Sequence, residues 1–210
     1  MVLTSIRFVL FAALLLAVYY AVPQRQRWWV LLSGSLCFYA LAGLKNVIYI
    51  LITAASTYLA ARGMQTLSAR QKARFRADPP LSKEEKAACK AKTAGRRRTI
   101  LVLTLVLNFG ILCGFKYAAF ALAQVSGLVR LFGGEGFSGA LHLIVPLGIS
   151  FYTFQTMGYL IDVYWKKVEA QPNFAKLLLF VSFFPQITQG PISDYAQLSE
   201  QLFTPHTYSY

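Results

Sequence analysis

The chain has 210 residues, of which 56% are hydrophobic and 14% charged, and its formal net charge is +13. A mean hydropathy of +0.48, with apolar residues gathered into separate blocks, excludes an ordinary soluble domain. The blocks predict an all-α polytopic membrane protein with about six transmembrane helices. The candidate spans are residues 8–22, 28–44, 47–61, 99–115, 143–163 and 174–189.

Most of the excess positive charge lies in one segment. Residues 62–98 contain twelve Lys or Arg against three acidic residues. Because basic loops stay on the cytoplasmic side, this segment is predicted to be a basic cytoplasmic loop, with the amino terminus outside. The chain then divides into residues 1–61 with three spans, the loop 62–98, and residues 99–210 with the remaining helices. Nucleic-acid binding is not expected, because no aromatic residues are interleaved with the charges.

Residues 117–132 do not fit this topology as a crossing. If residues 99–115 run outward, the return through residues 143–163 places Lys166 and Lys167 inside, as the charge rule prefers. Residues 117–132 are therefore predicted to form an interfacial or re-entrant segment, and a true span is the alternative.

A capping box marks a helix start inside the basic segment. Ser82 stands three residues before Glu85, so each side chain can reach the other's free main-chain N–H. A short helix from Lys83 to about Ala94 is predicted, with Gly95 at its end. The segment either contacts anionic headgroups or a soluble partner, or only sets the topology.

Polar side chains recur within the span at residues 143–163. Gly148, Tyr152, Gln155, Tyr159 and Asp162 follow one another at steps of four, three, four and three, so they share one helix face opposite a mostly apolar one. Polar groups in hydrocarbon need partners or water. The stripe is therefore predicted to line a bundle interior or a wet cavity.

The last span carries a second polar face and two breaks. Pro185 lacks the N–H that a helix interior needs, and Gly190 and Pro191 end the helix. Gln186 and Gln189 are predicted to line the same interior as the first stripe. The alternative is that these polar residues only join helices by hydrogen bonds worth about 0.6 to 2 kcal/mol each.

Histidines and cysteines indicate no metal site or catalytic triad. His142 and His206 have no nearby Ser, Cys or carboxylate at a suitable spacing, and Cys37, Cys89 and Cys113 are too far apart for a CxxC motif. No metal and no bound cofactor are expected.

With these motifs the chain resembles the membrane-bound O-acyltransferase family, in the bacterial branch of the alginate O-acetylation and teichoic acid D-alanylation proteins. The likeness runs in order through almost the whole sequence. The matching segments are SLCFYA at 35–40, NF at 108–109, FKY at 115–117, PLGISFYTFQ at 146–155, YLIDVY at 159–164, SFFPQ at 182–186 and GPI at 190–192.

The resemblance implies a multi-pass helical enzyme of a bacterial cytoplasmic membrane that moves an acyl group from a cytoplasmic acyl-thioester donor to a hydroxyl of an extracytoplasmic envelope polymer. A histidine acting as general base would serve this chemistry. The family's Trp-Arg-x-x-His segment is absent, so no catalytic residue is expected in this chain, which resembles the amino-terminal portion of a member. Asp194 stands where relatives often carry a basic residue.

The predicted substrate channel and partners follow from the stripe and the resemblance. The expected partners are membrane lipids, an acyl donor or carrier, an envelope polymer or an acyl-relay protein, and a missing carboxy-terminal half. The alternatives are a non-catalytic scaffold subunit, an inactive remnant and a lipid or glycan transporter. The channel-lining candidates are Tyr152, Gln155, Tyr159, Asp162, Gln186 and Gln189, with Gly148, Pro185, Gly190 and Pro191 shaping the backbone.

Overall fold

A computed structural model describes residues 6–76, 82–131, 146–189 and 194–203. Within these ranges the chain forms helices and short turns and no strand, which confirms the all-α prediction. The helices are α1 (Ile6–Ala21), α2 (Arg27–Ala42), α3 (Leu44–Arg76), α4 (Lys83–Leu131), α5 (Ile149–Tyr164), α6 (Phe174–Ser182), α7 (Phe184–Gln189) and α8 (Tyr195–Phe203), with a 3-10 turn at Gln24–Gln26 before α2.

Two of the described helices are long and apolar enough to cross a membrane, by length and composition: Leu44–Arg76 and Lys83–Tyr117. Phe8–Ala21 and Phe174–Gln186 are apolar but shorter than a full span. Many apolar side chains of α1 are exposed, which suits contact with lipid tails. These helices support the prediction of a membrane protein, and the number of six crossings stays a prediction.

Residues 62–98, predicted to be a cytoplasmic loop with one short helix, contain more helix than expected, and their cytoplasmic position stays a prediction. Helix α3 continues to Arg76 and α4 begins at Lys83, so the basic residues lie on two helical arms, residues 62–76 and 83–98. Ala, Lys, Arg, Gln and Glu dominate both arms and favour helix. Gly95, expected to end a short helix, lies inside α4, since one glycine costs only about 1 kcal/mol.

The capping box at the start of α4 is confirmed. The Ser82 N–H donates to Glu85 Oε2 at 2.9 Å, and the Glu85 N–H donates to Ser82 Oγ at 3.2 Å. The two side chains thus satisfy main-chain donors that a helix leaves free in its first turn.

Residues 117–132 do not form a separate interfacial or re-entrant segment as far as residue 131. Helix α4 passes through them without a break and ends at Leu131 after 49 residues. At 1.5 Å per residue α4 is roughly 70 Å long. The stretch has no proline and a single glycine, so nothing in it ends the helix.

Helix α3 lies at the centre of the bundle and packs against α2, α4, α5 and α6. Helix α5 packs between α3 and α4. The buried core where these helices meet includes Tyr39, Ile50, Ala54, Leu177 and Phe180. Because α5 lies between α3 and α4, protein surrounds its polar side chains.

The backbone is irregular at two of the predicted backbone-shaping positions, before α5 and between α6 and α7. Gly148 adopts a left-handed conformation with φ 72°, which glycine accepts without strain, and α5 begins only at Ile149. Gly148 is therefore the N-cap of α5 and not a member of its polar face. The last span breaks at Phe183, whose ψ of 97° is extended, so Pro185 falls in the first turn of α7, where no N–H is needed.

Candidate functional site

The polar stripe of α5 is packed inside the bundle. Tyr152, Gln155 and Tyr159 are at most 2% exposed, and Asp162 at the end of the helix keeps 14% of its side-chain surface. These four side chains are called the polar seam below. The opposite face is buried too, because α5 has neighbours on most sides, and Phe154, at 45% exposure, marks the outward strip. The stripe therefore faces the interior as predicted, and the mostly apolar face opposite it also packs against protein.

Gln155 joins α5 to the broken end of the last span. Its Nε2 donates to the Phe180 carbonyl and to Gln186 Oε1, each at 3.2 Å. The break at Phe183 interrupts the hydrogen-bond ladder of α6, so carbonyls of its last turn need other donors. Gln155 and Gln186, both predicted channel residues, are thus brought into direct contact.

Tyr159 organises the turn between α5 and α6. Its hydroxyl accepts from the Gln171 main-chain N–H at 2.8 Å, and Gln171 Nε2 donates to the Tyr195 hydroxyl at 2.7 Å. The rings of Tyr159 and Tyr195 lie 4.6 Å apart. This network ties α8 to the seam, and burial raises the pKa of the Tyr195 hydroxyl, which keeps it a neutral hydrogen-bonding group.

Asp162 forms the exposed end of the seam. Its Oδ1 lies 3.5 Å from Lys167 Nζ, and its carboxyl lies close enough to that of Asp194 for the two groups to interact. Asp194, the residue that departs from the family pattern, is exposed and directly precedes α8. Two carboxyl groups and one ammonium group therefore meet where the seam reaches the surface.

On α2, α5 and α6, four buried hydroxyls have no hydrogen-bond partner among the described residues, and Thr57 on α3 carries a fifth. The four belong to Ser35 and Tyr39 on α2, Tyr152 on α5 and Ser182 on α6. Tyr39 and Tyr152 interact electrostatically, and α2 packs against α6. Buried hydroxyls without partners are rare and mark a place for water or a ligand. The sequence signal for Ser35 and Tyr39 is their spacing of four residues on one helix.

Arg97 is a structural residue that sequence reasoning missed. It is 9% exposed, and its guanidinium donates to the carbonyls of Val163, at 3.1 Å, and Tyr164. The same group lies over the Tyr164 ring, 5.2 Å from the centroid. Arg97 thereby caps the carboxy-terminal end of α5, where a cation is also favoured by the helix dipole.

Several predicted positions lie outside the described part of the chain. These positions are Gly190, Pro191, His142 and His206. For Gln189 only the backbone, in α7, is described. Among the described residues, no three His, Cys, Asp or Glu side chains group into a metal site. The grooves at the α3–α4 arms, at the α6–α7 break and beside Arg97 are lined by side chains outside the polar seam. Channel lining by the seam stays a prediction.

Comparison with known proteins relates the chain to bacterial O-acetyltransferases. It is 30% identical to the probable alginate O-acetylase of Azotobacter vinelandii over 197 residues, which covers 91% of this chain and 34% of that protein. It is 36% identical to the probable alginate O-acetylase of Pseudomonas aeruginosa over 101 residues, 48% of this chain and 19% of that protein. The peptidoglycan O-acetyltransferase of Helicobacter pylori is 33% identical over 129 residues, 50% of this chain and 24% of that protein.

No protein-family model and no solved structure matches the chain. The apolar helices and the buried polar seam define the class: a helical membrane protein with hydrophilic groups in its interior. Within that class, the relatives confirm the resemblance to the membrane-bound O-acyltransferase family, in its alginate O-acetylase branch. The chain spans about a third of the length of the Azotobacter relative.

Proposed function

We propose that this chain is the amino-terminal part of a membrane-bound O-acyltransferase of cell-envelope polymers. The acyl group, of the acetyl or D-alanyl type, passes from a cytoplasmic thioester donor to a hydroxyl of an extracytoplasmic polymer. The observation that carries the proposal is similarity over 91% of this chain to a probable alginate O-acetylase. A relative named for peptidoglycan O-acetylation supports the wider class of envelope polymers.

The charge distribution supports the orientation that this reaction needs. The basic arms place twelve Lys or Arg together, so we propose that they lie in the cytoplasm and that the amino terminus lies outside. Asp162 and Lys167, at the exposed end of the seam, then face the cytoplasm, and Tyr152 lies about 15 Å deeper along α5 at 1.5 Å per residue. The seam would lead from the donor side into the membrane.

The buried hydroxyls offer groups that can orient an acceptor alcohol. Tyr152, Tyr39, Ser35 and Ser182 each carry a buried hydroxyl that can donate one hydrogen bond and accept others. Such fixed dipoles act strongly on a developing oxyanion or on an attacking hydroxyl. In this proposal they position the reacting groups, and the general base lies in the remainder of the enzyme.

A chimera tests the proposal directly. The matched region of the Azotobacter vinelandii alginate O-acetylase is replaced by this chain, and O-acetylation of alginate is measured in cells that lack their own enzyme. Acetylated alginate above the level of the empty vector supports the enzyme assignment. A chimera that inserts stably in the membrane but yields no acetylation with alginate or peptidoglycan contradicts it and favours a non-catalytic scaffold.

Matched variants connect activity to the seam. Tyr152→Phe removes one buried hydroxyl and little else, whereas Phe154→Leu changes the exposed strip of the same helix. We expect Tyr152→Phe to lower acetylation and Phe154→Leu to leave it near that of the parent chimera. Equal activities would remove the seam from the proposed reaction path.

A further inference from the structure

The two helical arms enclose a basic groove between them. The groove has a volume of about 620 Å³ and opens to solvent between α3 and α4. Four of its lining side chains are cationic and one is acidic. The lining side chains that matter here are Arg70 and Arg74 of α3 and Glu85, Cys89, Lys92 and Arg96 of α4.

The spacing of the four cations shows that they belong to the facing surfaces of the arms. Arg70 and Arg74 are four residues apart on α3, and Lys92 and Arg96 are four apart on α4, so each pair occupies one helix face. Two helices that lie side by side normally present apolar side chains to each other. Here the facing surfaces carry like charges, which repel unless an anion lies between them.

The acidic side chain in the lining, Glu85, offsets only one of the four cationic charges. The four cations form no ion pair within the described part of the chain, where the recorded pair joins Lys167 and Asp162. The Glu85 carboxylate accepts the Ser82 N–H at 2.9 Å in the capping box, which holds it at the end of the arm. The positive field of the groove is therefore left for an external anion.

We propose that this groove binds a phosphate group. Arginine guanidinium forks match phosphate oxygens in geometry and make charge-assisted hydrogen bonds to them. Thr93 and Gln71, also in the lining, add neutral donors. Arg96 lies three residues, about 5 Å, from the start of the apolar span at residue 99, so the groove adjoins the membrane surface.

Two sources could supply this phosphate: the headgroup of an anionic phospholipid or a soluble phosphorylated compound. Both can reach a groove at the membrane surface, and each presents oxygens of the same chemistry. The proposal rests on the arms alone and holds or fails separately from acyl transfer.

The Cys89 thiol provides a readout inside the groove. The chain is reconstituted in phosphatidylcholine nanodiscs with Cys37→Ala and Cys113→Ala, and the rate of Cys89 alkylation by a maleimide is followed against inorganic pyrophosphate. Bound pyrophosphate should cover the half-buried thiol and slow alkylation several-fold. In the double variant Arg70→Gln, Lys92→Gln, about tenfold more pyrophosphate should be needed for the same protection of Cys89.

A matched pair of substitutions controls for general charge. Arg76→Gln with Lys90→Gln removes the same charge from exposed sites on the same two helices, outside the groove lining, and should retain protection. Ala88→Glu places a second carboxylate in the groove and should abolish the protection of Cys89 by pyrophosphate. Circular dichroism shows whether each variant keeps its helices.

Nanodiscs with phosphatidylglycerol distinguish the sources. Slow alkylation there without pyrophosphate identifies a lipid headgroup as ligand, whereas protection by pyrophosphate alone, in both lipids, identifies a soluble phosphate. The proposal would be overturned if neither phosphatidylglycerol nor pyrophosphate slowed alkylation of Cys89. It would also be overturned if the groove pair and the control pair of substitutions reduced that protection equally.

Discussion

The side-chain amide of Gln155 donates a hydrogen bond to the main-chain carbonyl of Phe180, 3.2 Å away. That carbonyl belongs to the last turn of α6, and the helix breaks at Phe183. A carbonyl left without a donor in apolar surroundings costs several kcal/mol, so a broken helix inside a membrane protein needs such a partner. The same amide reaches Gln186 on α7, and one side chain thus connects both halves of the broken span with α5.

Replacing Gln155 by leucine should destabilise the bundle. The substitution keeps the volume but leaves the Phe180 carbonyl and the Gln186 side-chain oxygen without this donor, and we expect a loss of about 1 to 3 kcal/mol in the free energy of unfolding. Equilibrium unfolding in detergent measures it. Phe154→Leu, on the exposed strip of the same helix, is the control, and an equal loss in both variants would contradict the role of the amide.

Arg97→Lys should show that the geometry of the guanidinium matters, and not only its charge. Lysine keeps the positive charge, but its flexible stem does not fix a donor where the rigid guanidinium places Arg97 Nη2, which donates to both the Val163 and the Tyr164 carbonyl. We expect a loss of about 1.5 to 3 kcal/mol, the range of hydrogen bonds to charged groups. Arg98→Lys, at an exposed site one residue on, should change stability little in the same unfolding measurement. Similar stability of the two variants would show that Arg97 is not a cap.

The sequence predicted the helical class and the polar stripe, because the period of polar residues on one helix needs no tertiary information. Tyr152, Gln155 and Tyr159 are buried as that period predicts. The carbonyl that Gln155 satisfies was not predictable, since it depends on how α6 is placed against α5. Burial of the opposite face was not predictable for a similar reason. Thr153 and Thr156 face neighbouring helices, and the periodicity of α5 alone does not show where those helices lie.

The extent of helix in the basic segment was underestimated, because only the stretch behind the capping box was predicted to be helical. Charge predicts the side of the membrane, whereas local helix propensity decides the backbone, and this segment consists largely of strong helix formers. The capping box at Ser82 was found because it is a local pattern of two side chains. Arg97 could not be told from Arg96 and Arg98, because only the packing of α5 against α4 buries one of the three.

Asp162→Ala tests whether the exposed end of the seam serves function without serving stability. The ion pair with Lys167 is partly solvated, since the lysine side chain is 63% exposed, so its loss should cost no more than about 1 kcal/mol. Acetylation by the chimera should nevertheless fall well below that of Thr156→Ala, whose hydroxyl bonds only to the Thr153 carbonyl of its own helix. Glu200→Gln on the exposed side of α8 controls for charge. Equal activity of Asp162→Ala and Thr156→Ala would separate Asp162 from transfer.

Ser82→Ala should loosen only the start of α4. The Ser82 hydroxyl satisfies the Glu85 N–H, and loss of an N-cap costs about 1 kcal/mol. Hydrogen exchange should therefore become faster in the first turn of α4 and stay unchanged in its apolar part. Thr99→Ala removes an exposed hydroxyl that bonds to the Gly95 carbonyl within the same helix, and it should not affect that first turn. Unchanged exchange in Ser82→Ala would show that the arm is held by other contacts.

Gly34 sets the distance between α1 and α2, and its replacement should reveal their contact. A Cβ at this position would lie 2.4 Å from Leu15 Cδ1, closer than side chains approach, whereas a Cβ at Gly158 would have nothing within 4 Å. Gly34→Ala should therefore cost about 1 to 3 kcal/mol through overpacking, although the flexible end of Leu15 keeps the cost low in this range. Gly158→Ala should be neutral or stabilise by about 0.5 to 1 kcal/mol, because alanine favours helix.

A double-mutant cycle identifies Leu15 as the cause of that cost. Leu15→Ala removes the clashing methyl groups, so Gly34→Ala should cost less in the Leu15→Ala background than in the parent chain, with a coupling of about 0.5 to 3 kcal/mol between residues in contact. Unfolding in detergent gives all four stabilities of the cycle. Additive effects would mean that α1 does not pack against α2 at this point, and that the exposed apolar surface of α1 extends further around the helix than Leu15.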